Sequence, residues 1–229
     1  MFNRIVGRVL IAGVAGTLCL GSSLSAQTCT GAASYKVGPM RAGAGLEVGD
    51  HATSYGAAFG LGAPIGPFGS VSLSRTEYDN VDGGGTTVGL NGGYAIDVNL
   101  TKTMQFCPIG GFRYQSGPNI QSAFGNVDVT AHAVEFGGSF GGVASSTPTF
   151  VFVPFGAASY VASRASASVA GFNTSDSQDY TLLTLGAGFI VNHTMTIRPS
   201  VVIPVGLDGA TSSFAIDFGF SFGATGPMR

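Results

Sequence analysis

The chain has 229 residues, of which 37 are glycine and none is tryptophan; only 10% are charged, and the formal net charge is −2. That length allows one domain or at most two, and the charge balance supplies no basic patch for nucleic acid. No apolar run in the body of the chain reaches the roughly 20 residues of a membrane helix, which argues against a helical membrane protein.

The first 26 residues stand apart. Arg4 and Arg8 make a positive start, Val9 to Leu20 is apolar, and Gly21 to Ala26 is mostly small. This order predicts a secretory signal peptide over residues 1–26, too short in its apolar part to span a membrane. A lipoprotein signal is a poor fit, because Leu18 precedes Cys19 and Thr28 precedes Cys29. Residues 27–38 then form an N-terminal segment expected in the periplasm. Cleavage leaves Cys29 and Cys107, a pair that predicts one disulfide in an exported chain.

From residue 39 onward large apolar residues recur at every second position, the period of a strand. Met40, Ala42, Ala44, Leu46 and Val48 alternate with Arg41, Gly43, Gly45 and Glu47. Tyr55 to Leu61 and Val71 to Leu73 follow the same rule, then Val88 to Val98 against Thr87, Gly89, Asn91 and Asp97. Met104, Phe106, Phe112 and Tyr114 oppose Arg113, and Val134, Phe136 and Phe140 oppose Glu135. Phe150 to Val161 is apolar on both faces, so its sides cannot be assigned from the pattern. Leu183 to Val191 and Ile197 to Val205 alternate again, and the series ends with Phe214, Ile216, Phe218, Phe220 and Phe222. Helical periodicity is absent, and the glycine content would make long helices costly. The fold is therefore expected to be all-β.

The connections alternate between short ones and long polar ones. Residues 76–85, 114–126 and 162–179 are expected to be long loops, the last mobile by its Ser and Ala content. Such alternation fits a meander through a membrane, with short turns on one side and long loops on the other. Ten strands put both chain ends on the short-turn side and satisfy the even number that closure requires; eight is the alternative.

The charges distinguish a membrane barrel from a soluble one. If the apolar parity faces lipid, then Arg41, Glu47, Asp97, Arg113, Glu135, Arg198 and Asp217 face the lumen, and Asp217 points toward Arg113, Arg198 or Arg41. Balanced charges can pair in a narrow interior where isolated ones would be costly. A soluble sandwich would carry far more Lys and Glu on that face; Gly, Ala, Ser and Thr instead suit a tight, filled lumen.

With these strands the chain resembles the small outer-membrane β-barrel superfamily, the eight- to ten-stranded porin-like surface proteins, across roughly residues 40 to 222. The resemblance implies that the last strand, Phe214 to Phe222, is the signal read by the barrel assembly machinery. It departs from the pattern in having Gly223 to Arg229 after the terminal Phe222.

Nothing in the sequence groups into a catalytic set. Asp50 and His51 fall in the first outer loop, where the ten-stranded outer-membrane proteases carry Asp and His; a polar turn is the simpler account, since Asp79, Asp82 and Asp208 would have to converge on His51. His132 is expected at the outer interface and His193 in a short turn. Glycines 83–85 lack the strand, helix and Lys of a phosphate loop, and the two cysteines have no metal-binding spacing. The expectation is a closed antiparallel outer-membrane β-barrel, not an enzyme and without cofactor or metal. It would serve as structure or as a narrow passage for ions or small solutes, with lipid and the assembly machinery as partners. The alternatives are adhesion through the outer loops and an outer-rim hydrolase.

Overall fold

A computed structural model describes residues 28–32, 38–79, 83–122, 125–169, 172–207 and 209–223. The predicted signal peptide and residues 224–229 of the tail lie outside the described residues.

The alternating segments are all strands: β1 (Met40–Val48), β2 (Ala52–Gly62), β3 (Gly66–Tyr78), β4 (Gly84–Asp97), β5 (Met104–Ser122) and β6 (Gly125–Gly142). A two-residue strand, β7 (Ser145–Ser146), precedes β8 (Phe150–Val169), β9 (Phe172–Val191), β10 (Met195–Val205) and β11 (Ser213–Phe222). Apart from β6 and β7, sequential neighbours pair antiparallel, and two further ladders close the ring. β1 meets β11 from Met40↔Phe222 to Val48↔Phe214. β6 meets β8 from Asp128↔Ser168 to Gly141↔Phe155, while β7 only edges the start of β8. The result is an up-and-down barrel of ten long strands, with both ends of the barrel segment beside the short turns. Closure leaves no edge within the ring, so every strand there satisfies its backbone on both sides.

Side-chain parity puts apolar residues outside. Phe214, Phe218 and Phe220 on β11 are half exposed, as are Leu73, Leu90, Phe136 and Leu185 on other walls, whereas Arg41, Arg113, Arg198 and Asp217 are no more than 3% exposed. On β8 the pattern that the sequence leaves open resolves: Val151, Val153 and Val161 are buried inside, and Phe150, Pro154 and Tyr160 face out.

Two expected loops are not loops. Residues 114–122 and 125–126 continue β5 and β6, and residues 162–169 and 172–179 continue β8 and β9, as hairpin arms, with β8 and β9 paired up to Val169↔Phe172. The shorter segment 76–85 also gives up its ends, Thr76–Tyr78 to β3 and Gly84–Gly85 to β4. The reason is visible in the arms. Along 173–177 both faces are exposed, and elsewhere in the arms the inward face is filled by small or polar residues such as Gln115 and Ala167, so the apolar alternation that marks a half-buried strand is missing. The backbone ladder to the neighbouring strand persists without it. β10 ends its pairing with β9 at Val205↔Thr181, so residues 172–180 rise beyond it by about 30 Å along the strand. The barrel is thus tall on the β5–β9 side and low on the other.

Candidate functional site

The lumen holds the polar side chains that the barrel removes from water, in two tiers. In the tier nearer the short turns, β10 and β11 set Arg198 directly opposite Asp217, and the Arg198 Nη2 donates to Asp217 Oδ2 at 2.9 Å. Arg198 Nη1 donates to the Thr30 carbonyl at 2.8 Å, and the guanidinium lies 5.5 Å from the centre of the Phe155 ring. Arg41 on β1 donates through Nε to Ser221 Oγ at 3.1 Å.

Thr30 belongs to the N-terminal segment, of which Thr28–Thr30 sit inside this mouth. Thr28–Thr30 form one 3-10 turn packed against β5, β6 and β8. Cys29 and Cys107, both fully buried, are joined by a disulfide. Gln105 adds a polar tie: its Oε1 accepts from the Thr28 amide at 3.0 Å while its Nε2 donates to Asp97 Oδ1 at 2.9 Å. The wall is shaped to admit this turn. A Cβ at Gly141 would collide with the Thr28 carbonyl, and one at Gly188 with the Gly31 carbonyl. Glycine is required at both because the backbone of the turn approaches the strands directly.

In the other tier Arg113 on β5 pairs with Glu135 on β6, whose second oxygen accepts from Ser159 Oγ at 2.6 Å. Glu47 accepts from Ser213, Ser54 and Thr76 share a hydrogen bond of 2.7 Å, and Gln115 Nε2 donates to Tyr78 Oη at 2.8 Å. Beside these lies an apolar cluster inside the barrel, built from Ala131, Ala133, Val161, Tyr180, Leu182 and Val202, with Leu207 folded in from the β10–β11 connection.

All seven charges expected in the lumen lie on the inward parity, and six are buried; Asp97 is half buried. The structure brings Arg113 to Glu135 and Arg198 to Asp217. Asp97 is held by Gln105 rather than by a cation. Sequence reasoning passed over Gln105, Ser159, Ser213 and Ser221, although their inward parity was visible, because single polar residues among small ones carry no signal of pairing. It passed over Phe155 because that run is apolar on both faces.

The histidines scatter. His51 is exposed in the β1–β2 turn, where its carbonyl accepts from the Asp79 amide at 3.1 Å, a backbone contact. Asp50 is exposed beside it, and Asp82 and Asp208 lie outside the described residues. His132 is exposed on the outer face of β6, and the His193 ring bonds the Pro148 carbonyl at the opposite end of the barrel. Glycines 84 and 85 form the start of β4 rather than a loop. Among the described residues no three His, Cys, Asp or Glu side chains gather as metal ligands.

No protein-family model and no curated protein matches the sequence. Among solved structures, the translocator domain of the autotransporter NalP from Neisseria meningitidis is similar over 80% of this chain and 89% of that one, at 10% identity and a TM-score of 0.53. The N-terminal β-barrel domain of Pseudomonas aeruginosa OprF aligns over 80% of this chain and 96% of its own, at 13% identity and a TM-score of 0.38. Ail of Yersinia pestis aligns over 79% and 95%, at 16% identity and 0.37. The similarity to the translocator domain concerns the fold, and nothing is drawn from the other two. With the closed ladder and the inverted parity, the chain is a small β-barrel of the outer-membrane type.

Proposed function

We propose that this barrel resides in the bacterial outer membrane as a non-catalytic structural protein, exported with residues 1–26 removed and closed at its periplasmic mouth by residues 28–32. The observation that carries it is the inversion of the two faces: the outer wall is apolar while the charged side chains at mid-barrel are inside. Along β8 the outer apolar stretch from Phe150 to Tyr160 covers about 33 Å of strand, which at a tilt of roughly 40° is about 25 Å of height, the thickness of the apolar band of such barrels. The lumen supports a structural role over a passage. Two ion pairs bridge neighbouring strands, and the turn at Thr28–Thr30 occupies one mouth with a covalent tie and two polar ones.

The test combines fractionation with conductance. The protein should fractionate with the outer membrane, run faster on a gel when unboiled, and give no steady conductance in planar bilayers. A steady single-channel conductance from the intact protein would replace the structural role with the narrow-passage one; recovery in the soluble fraction would remove the membrane reading.

A second reading rests on the arms. β5, β6, β8 and β9 rise past the outer apolar band as one continuous sheet with exposed Arg164, Ser175, Ser177 and Asp179. Such a platform could hold an extracellular partner. Replacing residues 164–178 by a two-residue turn should then abolish attachment of cells to that partner while leaving heat-modifiable folding intact; unchanged attachment would eliminate adhesion through β8 and β9.

A further inference from the structure

One outward row runs across four strands at the base of the arms and includes Arg164 and Ser177 of the platform. Four strands place Tyr114, His132, Arg164 and Ser177 in a single row, each directly opposite the next: Tyr114↔His132, His132↔Arg164, Arg164↔Ser177. All four are exposed. The row lies at a chemical boundary. Two positions toward the short turns the outer face carries Phe112, Val134, Ala162 and, on β9, Asp179, and one rung further Phe136 packs against Tyr160 with ring centres 5.1 Å apart. Two positions the other way it carries only hydroxyls, Ser116, Thr130, Ser166 and Ser175. The two basic side chains of this wall therefore stand at the height where acyl chains give way to headgroups.

We propose that this row binds the phosphate of an anionic lipid headgroup, with Arg164 and His132 as the charged donors and the Tyr114 and Ser177 hydroxyls beside them. Directly opposed residues on one sheet face have Cβ atoms about 5 Å apart, so a phosphate can bridge His132 and Arg164. A guanidinium offers five donors in a planar fork suited to phosphate. Arg164 uses one nitrogen on Ser175 Oγ at 3.2 Å, which fixes the side chain across β9 without neutralising it. The nearby acids are Asp176, whose Oδ1 accepts the Ser177 amide at 2.9 Å, Asp179 and Asp128. Asp179 accepts the Tyr160 hydroxyl, and Asp128 stands four positions from His132 along β6. The apolar residues below the row would hold the acyl chains of the same lipid, which distinguishes it from a site for free phosphate.

This inference rests on the membrane reading, and the experiment separates the two. The full-length mature protein is reconstituted in nanodiscs of phosphatidylcholine with a minor fraction of phosphatidylglycerol. Lipids that stay bound are counted by native mass spectrometry, and folding is followed by gel mobility without boiling. The wild type should retain phosphatidylglycerol in excess of its share. Arg164→Gln together with His132→Gln should lower that excess about tenfold with mobility unchanged, whereas Arg75→Gln on the far wall should not. Retention equal in wild type and double variant, with both folded, overturns the lipid site and leaves the membrane reading standing. Loss of retained lipid on adding millimolar inorganic phosphate overturns the lipid as the source. Failure of the wild type to insert at all removes both.

Discussion

Arg113 and Glu135 lie on adjacent strands with their charges turned into the lumen, and each is almost fully screened from water. A buried pair contributes little compared with apolar residues of similar volume, but one partner alone is an uncompensated charge. Replacing Arg113 with Met should therefore cost about 3–5 kcal/mol, read as a lower temperature for loss of the fast-migrating gel band. Adding Glu135→Leu should recover most of that loss, and a double variant as weak as the single one would show that the pair is not the relevant coupling. The same logic separates Arg198, which also grips the Thr30 carbonyl, so that Arg198→Met should loosen the N-terminal turn as well as the wall. Protease cleavage near residues 28–32 in this variant, and its absence in the wild type, is the expected signature.

At the scale of the strand, parity is the governing variable. β11 pairs with β1 and β10 along its length, so its two faces are fixed by both neighbours and cannot slip without turning Asp217 outward. Phe218, half exposed and opposite Ala44 and Ile197, is on the outer face near the middle of the strand. Phe218→Lys should cost about 2–4 kcal/mol if that face meets the bilayer midplane, and the folded fraction in lipid vesicles measures it. If Phe218→Lys folds as well as the wild type, the apolar face is not lipid-exposed.

For the molecule as a whole, the N-terminal turn ties one mouth of the ring across β5, β6 and β8. Its disulfide spans 78 residues of sequence, a loop whose closure is worth about 4.5 kcal/mol in the chain-entropy account. Cys29→Ser with Cys107→Ser should lower thermal stability accordingly. The Arg198–Thr30 and Gln105–Thr28 bonds should still seat the turn in part, so conductance should appear as brief openings rather than a steady level. A fully open steady state in the double variant would mean that the disulfide alone holds the mouth closed. The lopsided height has a separate consequence: the arms stand only over the β5–β9 wall, so shortening them should leave the ring and its heat-modifiable mobility intact.

Strand existence, strand parity and the closure count were legible in the sequence, because an apolar residue at every second position admits only one side assignment once the charges are placed opposite. The inward position of Arg41, Glu47, Arg113, Glu135, Arg198 and Asp217 follows from that alone. The extent of the strands was not legible above residues 116 and 162, since an arm with small and polar residues on both faces has no alternation to read, and Ser- and Ala-rich sequence is shared by loops. Only the tertiary structure brought Arg198 to Asp217, because that depends on the register between β10 and β11. Only it showed that Gln105, not a cation, answers Asp97. And only it placed Tyr114, His132, Arg164 and Ser177 in one row, since the chain separates them by up to 63 positions and the ladders alone bring them level.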